Sequence, residues 1–194
     1  MTKKLFSIIL LIAITQITFV FGSAIPCAPQ LQKSLKAIEQ LPEGKALLES
    51  VQKLGPIRIE TSRYNLAQQF GAFWDPDERV IYVNFPNQKD DGKIIGSIIF
   101  ELHNALANAK INHLDNLASQ RKITKAKYVE AMEYLEYENS IKASKIAEKG
   151  IQMGLFPKGA HLPTYKDFNE HFHYQKVGGH SAWFARTYDE LSTM

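Results

Sequence analysis

Apolar residues recur at helical spacing over Gln30 to Leu41, where Leu31, Leu35, Ile38 and Leu41 share one face. Pro42-Glu43-Gly44 is expected to break that helix. A second one is expected over Lys45 to Leu54, with Ala46, Leu47, Leu48, Val51 and Leu54 turned inward. Gly55 suits a C-terminal cap, with Pro56 just beyond it. The period then changes. Ile57-Arg58-Ile59-Glu60 alternates as a strand, Phe70 to Trp74 reads as a second strand, and Asp75-Pro76-Asp77-Glu78 is turn chemistry. Val80 to Phe85 is a third strand, so residues 70–85 predict a hairpin. Beyond a polar loop from Pro86 to Gly92, two long helices are predicted, about Lys93 to Ala118 and Thr124 to Lys149. Gly150, Gly154, Pro157, Gly159 and Pro163 mark an irregular stretch. The tail holds a short helix near Tyr165 to His173, then Gly178-Gly179, then a last segment from Ser181 to Leu191. The class is α+β: a helical N-terminus, a small antiparallel sheet with a hairpin, two long packed helices and a short helical tail.

Composition changes this picture little, with 45% hydrophobic and 22% charged residues, an ordinary globular balance. The N-terminus changes it more. Lys3 and Lys4 precede an apolar run from Leu5 to Phe21, followed by Gly22, Ser23 and Ala24, the layout of a secretory signal peptide. The run is interrupted by Thr15, Gln16 and Thr18 and is short for a bilayer span. A signal over residues 1–22 leaves residues 23–194 as one domain, secreted or periplasmic, with no stable membrane insertion after cleavage. The formal charge of +3 falls to about +1 without Lys3 and Lys4, and the basic residues are interspersed with acids. A nucleic-acid binder would cluster them. Cys27 is the only cysteine, so no intramolecular disulfide forms. Pro26 before it argues against lipid attachment. An unpaired thiol in a mobile N-terminal segment or an intermolecular link are the two expectations.

The chemistry centres on the first long helix. Ile94, Ile95, Ile98, Ile99, Leu102, Ala105, Leu106 and Ala109 form one broad apolar face. Phe100 and Asn104 fall on the opposite side, within about 40° of each other, and Glu101 lies between that side and the apolar stripe. An aromatic on the far side implies a helix covered twice.

These residues carry a resemblance. Leu41-Pro-Glu-Gly-Lys-Ala-Leu-Leu48 followed by Gly55-Pro-Ile-Arg-Ile59 is similar to the start of zincin-like domains of bacterial effectors and toxins. Trp74-Asp-Pro-Asp with Val80-Ile-Tyr-Val-Asn84 resembles their edge hairpin. Phe100-Glu-Leu-His-Asn-Ala105 falls where those domains carry His-Glu-Leu-x-His-Ala. The likeness spans about residues 31–110, and the order of the motifs carries it. In that family the two histidines bind zinc and the glutamate activates the bound water. Only Glu101 of those three roles is kept: Phe100 cannot bind a metal, and Asn104 is a poor zinc ligand beside imidazole.

Other residues could rebuild a site. His103 points well away from Asn104, toward the other edge of the helix, and reads as a core-edge histidine, and His113 as a solvated one. On the second long helix, Tyr128, Val129, Met132, Leu135, Ala143, Ile146 and Ala147 form the apolar stripe. Glu136 and Asn139 fall inside it, bordered by Glu133 and Ser140. A carboxylate there needs a partner, and His103, a Lys or Arg side chain, or a second carboxylate are all candidates for Glu136. A third metal ligand would come from Glu130, Glu133 or Glu136. A di-metal bundle wants Glu-x-x-His pairs on the facing helices, and the pattern fails there because Glu101 is followed three residues later by Asn104 and Glu133 by Glu136. His171, His173 and His180 surround Tyr174 near Trp183 and Phe184, either as metal ligands or as part of an aromatic tail packed over Phe100.

Three functions remain open. The first is an exported zincin-like protein without its zinc-binding histidines, a binding or accessory module with no cofactor and a protein or peptide partner. Its cleft would hold Phe100, Glu101, His103, Asn104, Glu133 and Glu136. The second is a hydrolase with Glu101 as general base and zinc or another divalent metal on His103, His171, His173 or His180. The third is a structural interaction domain with Glu101 and Glu136 in a buried network.

Overall fold

The computed structural model describes residues 25–62, 70–85 and 90–193. The expected signal segment, residues 1–22, lies outside the described residues, as do residues 86–89 of the expected loop. No helix of the described residues is long and apolar enough to cross a membrane.

Helix α1 (Gln32–Gln40) follows a short 3-10 turn, and α2 (Pro42–Lys53) begins at once rather than at Lys45. Leu41 alone separates them because proline is accommodated in the first helical turn, where its missing N–H has no partner to lose. Gly44 permits the tight corner: a Cβ there would sit 2.2 Å from the Ile38 carbonyl oxygen. Leu47, Leu48 and Val51 face the core, whereas Ala46 and Leu54 are exposed, so the inward face of α2 is narrower than the sequence pattern implied.

Strands β1 (Arg58–Thr61), β2 (Ala72–Asp75) and β3 (Val80–Val83) form a three-stranded sheet in the order β1-β3-β2. The hairpin is as expected, with Trp74 opposite Ile81 and Ala72 opposite Val83. Its turn is held by Asp75 Oδ1, which accepts from the Asp77 and Glu78 amides. The sheet is mixed rather than antiparallel, because β1 joins β3 in parallel, Arg58 beside Val80. Alternation along a strand reports which side is buried and carries no information about a neighbour's direction. Every residue of the central strand β3 is buried.

Cys27 is not in a mobile tail. It forms a parallel bridge with Ile59, and the flanking hydrogen bonds Ala28 N–H to Ile59 O and Ile59 N–H to Pro26 O are both 2.9 Å long. Burial, with Glu39 nearby, pushes its thiol up to about 11, so it carries little thiolate at neutral pH.

Helices α3 (Asp91–Ser119) and α4 (Lys125–Gln152) are the long pair. Each start is capped, Asp90 accepting from the Gly92 amide and Thr124 from the Lys127 amide. They run antiparallel: Asn104 meets Asn139 while Asp115 meets Tyr128. α3 is the central element, packed on α1, α2, the sheet, α4, the tail and a 3-10 turn at Lys158–Ala160. At that turn a Cβ on Gly92 would fall 2.5 Å from the Ala160 nitrogen, so glycine allows the close approach. Helices α5 (Phe168–Val177) and α6 (His180–Thr193) close the fold over α4.

The apolar interior has two parts. One joins α1, α2, the sheet, the first half of α3 and the end of α4 around Ile59, Ile81, Ile98 and Leu102. The other joins the last turns of α3, the first turns of α4 and α6 around Tyr128, Met132 and Phe184. Ala109, placed on the apolar face by its spacing, is exposed. Polar residues of α3 and α4 lie between the two parts, and they form the candidate site.

Candidate functional site

Glu101 and Asn104 are one turn apart on α3, and Glu133, Glu136 and Asn139 are spaced at threes along α4. Glu101 is 6% exposed. Its Oε2 accepts from the backbone N–H of Trp74 on β2 at 3.0 Å and from Asn104 Nδ2 at 3.1 Å. Asn104 Oδ1 accepts in turn from Asn139 Nδ2 at 2.9 Å. One carboxylate and two amides thus tie the hairpin, α3 and α4 together. Desolvation pushes Glu101 up to about 7 despite the two donors. Glu136, half-buried beside them, is raised well above the ordinary carboxylate range by burial first and then by the charges of Glu101 and Glu133, with Asn104 opposing. Among the described residues, the groups acting on Glu136 are the Asn104 amide and the carboxylates of Glu101 and Glu133, none of them a cation.

Glu133 is treated differently by the fold. It is fully buried, and Ser181 Oγ donates to its Oε1 at 2.6 Å. His180 Nδ1 lies 3.2 Å from both carboxylate oxygens, and His171 Nε2 lies 3.6 Å from Oε2. Burial raises its pKa, but the two imidazoles and the serine outweigh it and bring Glu133 down to about 2. This ionised carboxylate fastens α5 and α6 to α4. The sequence placed Glu133 at the border of the stripe and Glu136 inside it. The structure reverses their burial, because α5 and α6 cover the Glu133 side.

A cleft of about 590 Å³ opens beside this belt. Phe100, Glu101, Asn104 and Glu136 line it, with Phe73 and Trp74 from β2 and Tyr165, Trp183 and Phe184 from the tail. His171 and His180 reach its wall. The tail aromatics Trp183 and Phe184 pack against His180, Phe184 edge-on, and both line the same cleft as Phe100.

His103 and Glu133 do not line the cleft among the described residues. His103 is 8% exposed, its Nε2 has no hydrogen-bond partner, and burial with Lys142 nearby pulls it down to about 4, so the ring is neutral. His113 and His173 are exposed, and Glu130 is exposed on α4. The four histidines proposed as alternative ligands are thus dispersed, with only His171 and His180 meeting, at Glu133. Among the described residues no group of three or more His, Cys, Asp or Glu side chains is placed to hold a metal ion.

Zinc in the manner of the zincins does not fit these residues. Phe100 offers no donor, and the Asn104 carboxamide is committed to Glu101 and Asn139. Sequence reasoning missed Ser181 and the Trp74 backbone amide, neither of which carries a pattern. The paired asparagines were half visible, because Asn139 interrupts an apolar stripe. No known protein family, curated protein or solved structure matches the chain.

Proposed function

We propose that the chain is an exported, non-catalytic binding module on a zincin-like plan, with the cleft beside Phe100, Glu101 and Asn104 as its recognition site. The observation that carries this reading is Asn104. It occupies the position of the second motif histidine, and its amide joins Glu101 to Asn139 across the two long helices. A side chain spent on that cross-link holds the cleft open and leaves no ligand for zinc. The aromatic walls and the few polar groups set among them are the usual make-up of a binding pocket, and the volume is in the usual range. Metal content of residues 23–194, purified without chelator or metal resin, tests the reading. Far less than one equivalent of metal is expected; stoichiometric zinc, iron or manganese would overturn it. The zincin-like part has its own test. Phe100→His with Asn104→His should confer a zinc-dependent rise in melting temperature, and a folded variant indifferent to zinc would remove that part.

One observation favours a second reading, a hydrolase: Glu101 sits in the cleft wall with a pKa of about 7, suited to acid–base work. Peptide or ester hydrolysis that survives chelator and disappears in Glu101→Gln would establish it.

A further inference from the structure

We propose that the cleft takes an organic cation, an ammonium or guanidinium group on an apolar stem. This rests on the binding-module reading and gives its site a ligand class. The first support is a contrast on one helix. Glu133 and Glu136 are a turn apart on α4, and the fold surrounds Glu133 with Ser181, His180 and His171. Among the described residues, Glu136 and its neighbour Glu101 receive amide contacts only. Two adjoining carboxylates in a desolvated wall are costly without a counter-charge.

The second support is what lines the cleft. The sequence has 23 lysines and arginines and a net charge of +3. Among the described residues none of these basic side chains lines the cleft, whereas Asp75, Asp77 and Asp115 join Glu101 and Glu136 there. Asp75 and Asp115 already accept hydrogen bonds, from the turn amides and from Tyr128. Asp77 is exposed to solvent, which leaves Glu101 and Glu136 as the enclosed acidic pair with no counter-charge among the described residues. Both hold their protons tightly, and an entering cation would favour their ionised forms.

The third support points at the ligand itself. Glu101 is more than nine-tenths buried and lines the cleft, and both of its hydrogen bonds converge on Oε2. Among the described residues no donor reaches Oε1. His171, also on the wall, is already paired with Glu133, its Nε2 3.6 Å from Oε2. Around these polar atoms stand Phe73, Trp74, Phe100, Tyr165 and Trp183. Aromatic faces beside a carboxylate pair are the setting in which an organic cation gains both ring attraction and charge-assisted hydrogen bonds. A bare metal ion would need at least three converging ligands, and among the described residues no group of three or more His, Cys, Asp or Glu side chains is placed to supply them.

The test uses the two tryptophans of the sequence. Trp74 and Trp183 both line the cleft, so intrinsic fluorescence reports on it. The chain is titrated with Nα-acetyl-arginine methylamide and Nα-acetyl-lysine methylamide, and with the neutral citrulline and Nε-acetyl-lysine counterparts. Charged probes should bind about tenfold or more tighter than their neutral isosteres, and Glu136→Gln should erase the preference. Should that variant fail to fold, the wild-type comparison decides alone. Butylamine separates the sources: saturation equal to the lysine probe marks a free amine, and much weaker saturation marks a basic peptide side chain. Equal binding of charged and neutral probes would overturn the cation and leave the binding module standing. Silence from every probe at millimolar concentration would also overturn the cation. Stoichiometric metal, by contrast, would overturn the binding module itself.

Discussion

Replacing Glu101 by glutamine should stabilise the protein above neutral pH and leave it unchanged in mild acid. The folded-state pKa of about 7 lies above the ordinary value of 4.5, so the folded protein holds this proton more tightly than the unfolded chain. Stability from this group is complete below about 4.5 and is lost as pH rises through about 7. The gap corresponds to about 3 kcal/mol at pH 8 and above. Glutamine has the same shape, keeps an oxygen for the Trp74 amide and Asn104 Nδ2, and cannot ionise. It also removes a charge that repels Glu136. For a chain of this size, about 3 kcal/mol is about 6 to 12 °C in melting temperature. Thermal and urea unfolding of both proteins from pH 4 to 9 measures the difference. The two should agree within about 0.5 kcal/mol at pH 4 and diverge steadily to pH 8. Parallel profiles, or a glutamine variant weaker at pH 8, would refute the reasoning and mean that water solvates Glu101 in the folded state.

Glu133 should behave with the opposite sign. Its folded pKa of about 2 lies below the ordinary 4.5, so its contribution is present above pH 4.5 and lost as pH falls towards 2. Glu133→Ala strands two imidazoles and a serine, and should cost about 3 kcal/mol at pH 7, read by urea unfolding; a loss under about 1 kcal/mol would contradict the pairing. Gly92→Ala should cost about 1 to 3 kcal/mol, because its Cβ would fall 2.5 Å from both the Ala160 nitrogen and the Gly159 carbonyl carbon. Calorimetry would show the lowered melting temperature, and an unchanged value would mean that the Lys158–Ala160 turn moves freely.

Features that depend on neighbours a few residues apart were legible along the chain. The 3.6-residue period fixed α3 and α4 to within a few residues of their ends, and Asp75-Pro76-Asp77-Glu78 between two alternating runs fixed the hairpin. Asn139 inside an apolar stripe announced a buried polar network without naming its partner. Other features arise from contacts between distant parts of the chain. The parallel entry of β1 and the pairing of Cys27 with Ile59 depend on contacts that no local pattern encodes. The fates of three glutamates on two helices were settled in the same way. Glu133 acquired Ser181, 48 residues away, while Glu101 acquired a strand amide 27 residues away and Glu136 acquired no cation among the described residues. A carboxylate's pKa is set by its desolvation and by the groups within a few ångströms of it. Those distances come into being only when the chain has closed on itself.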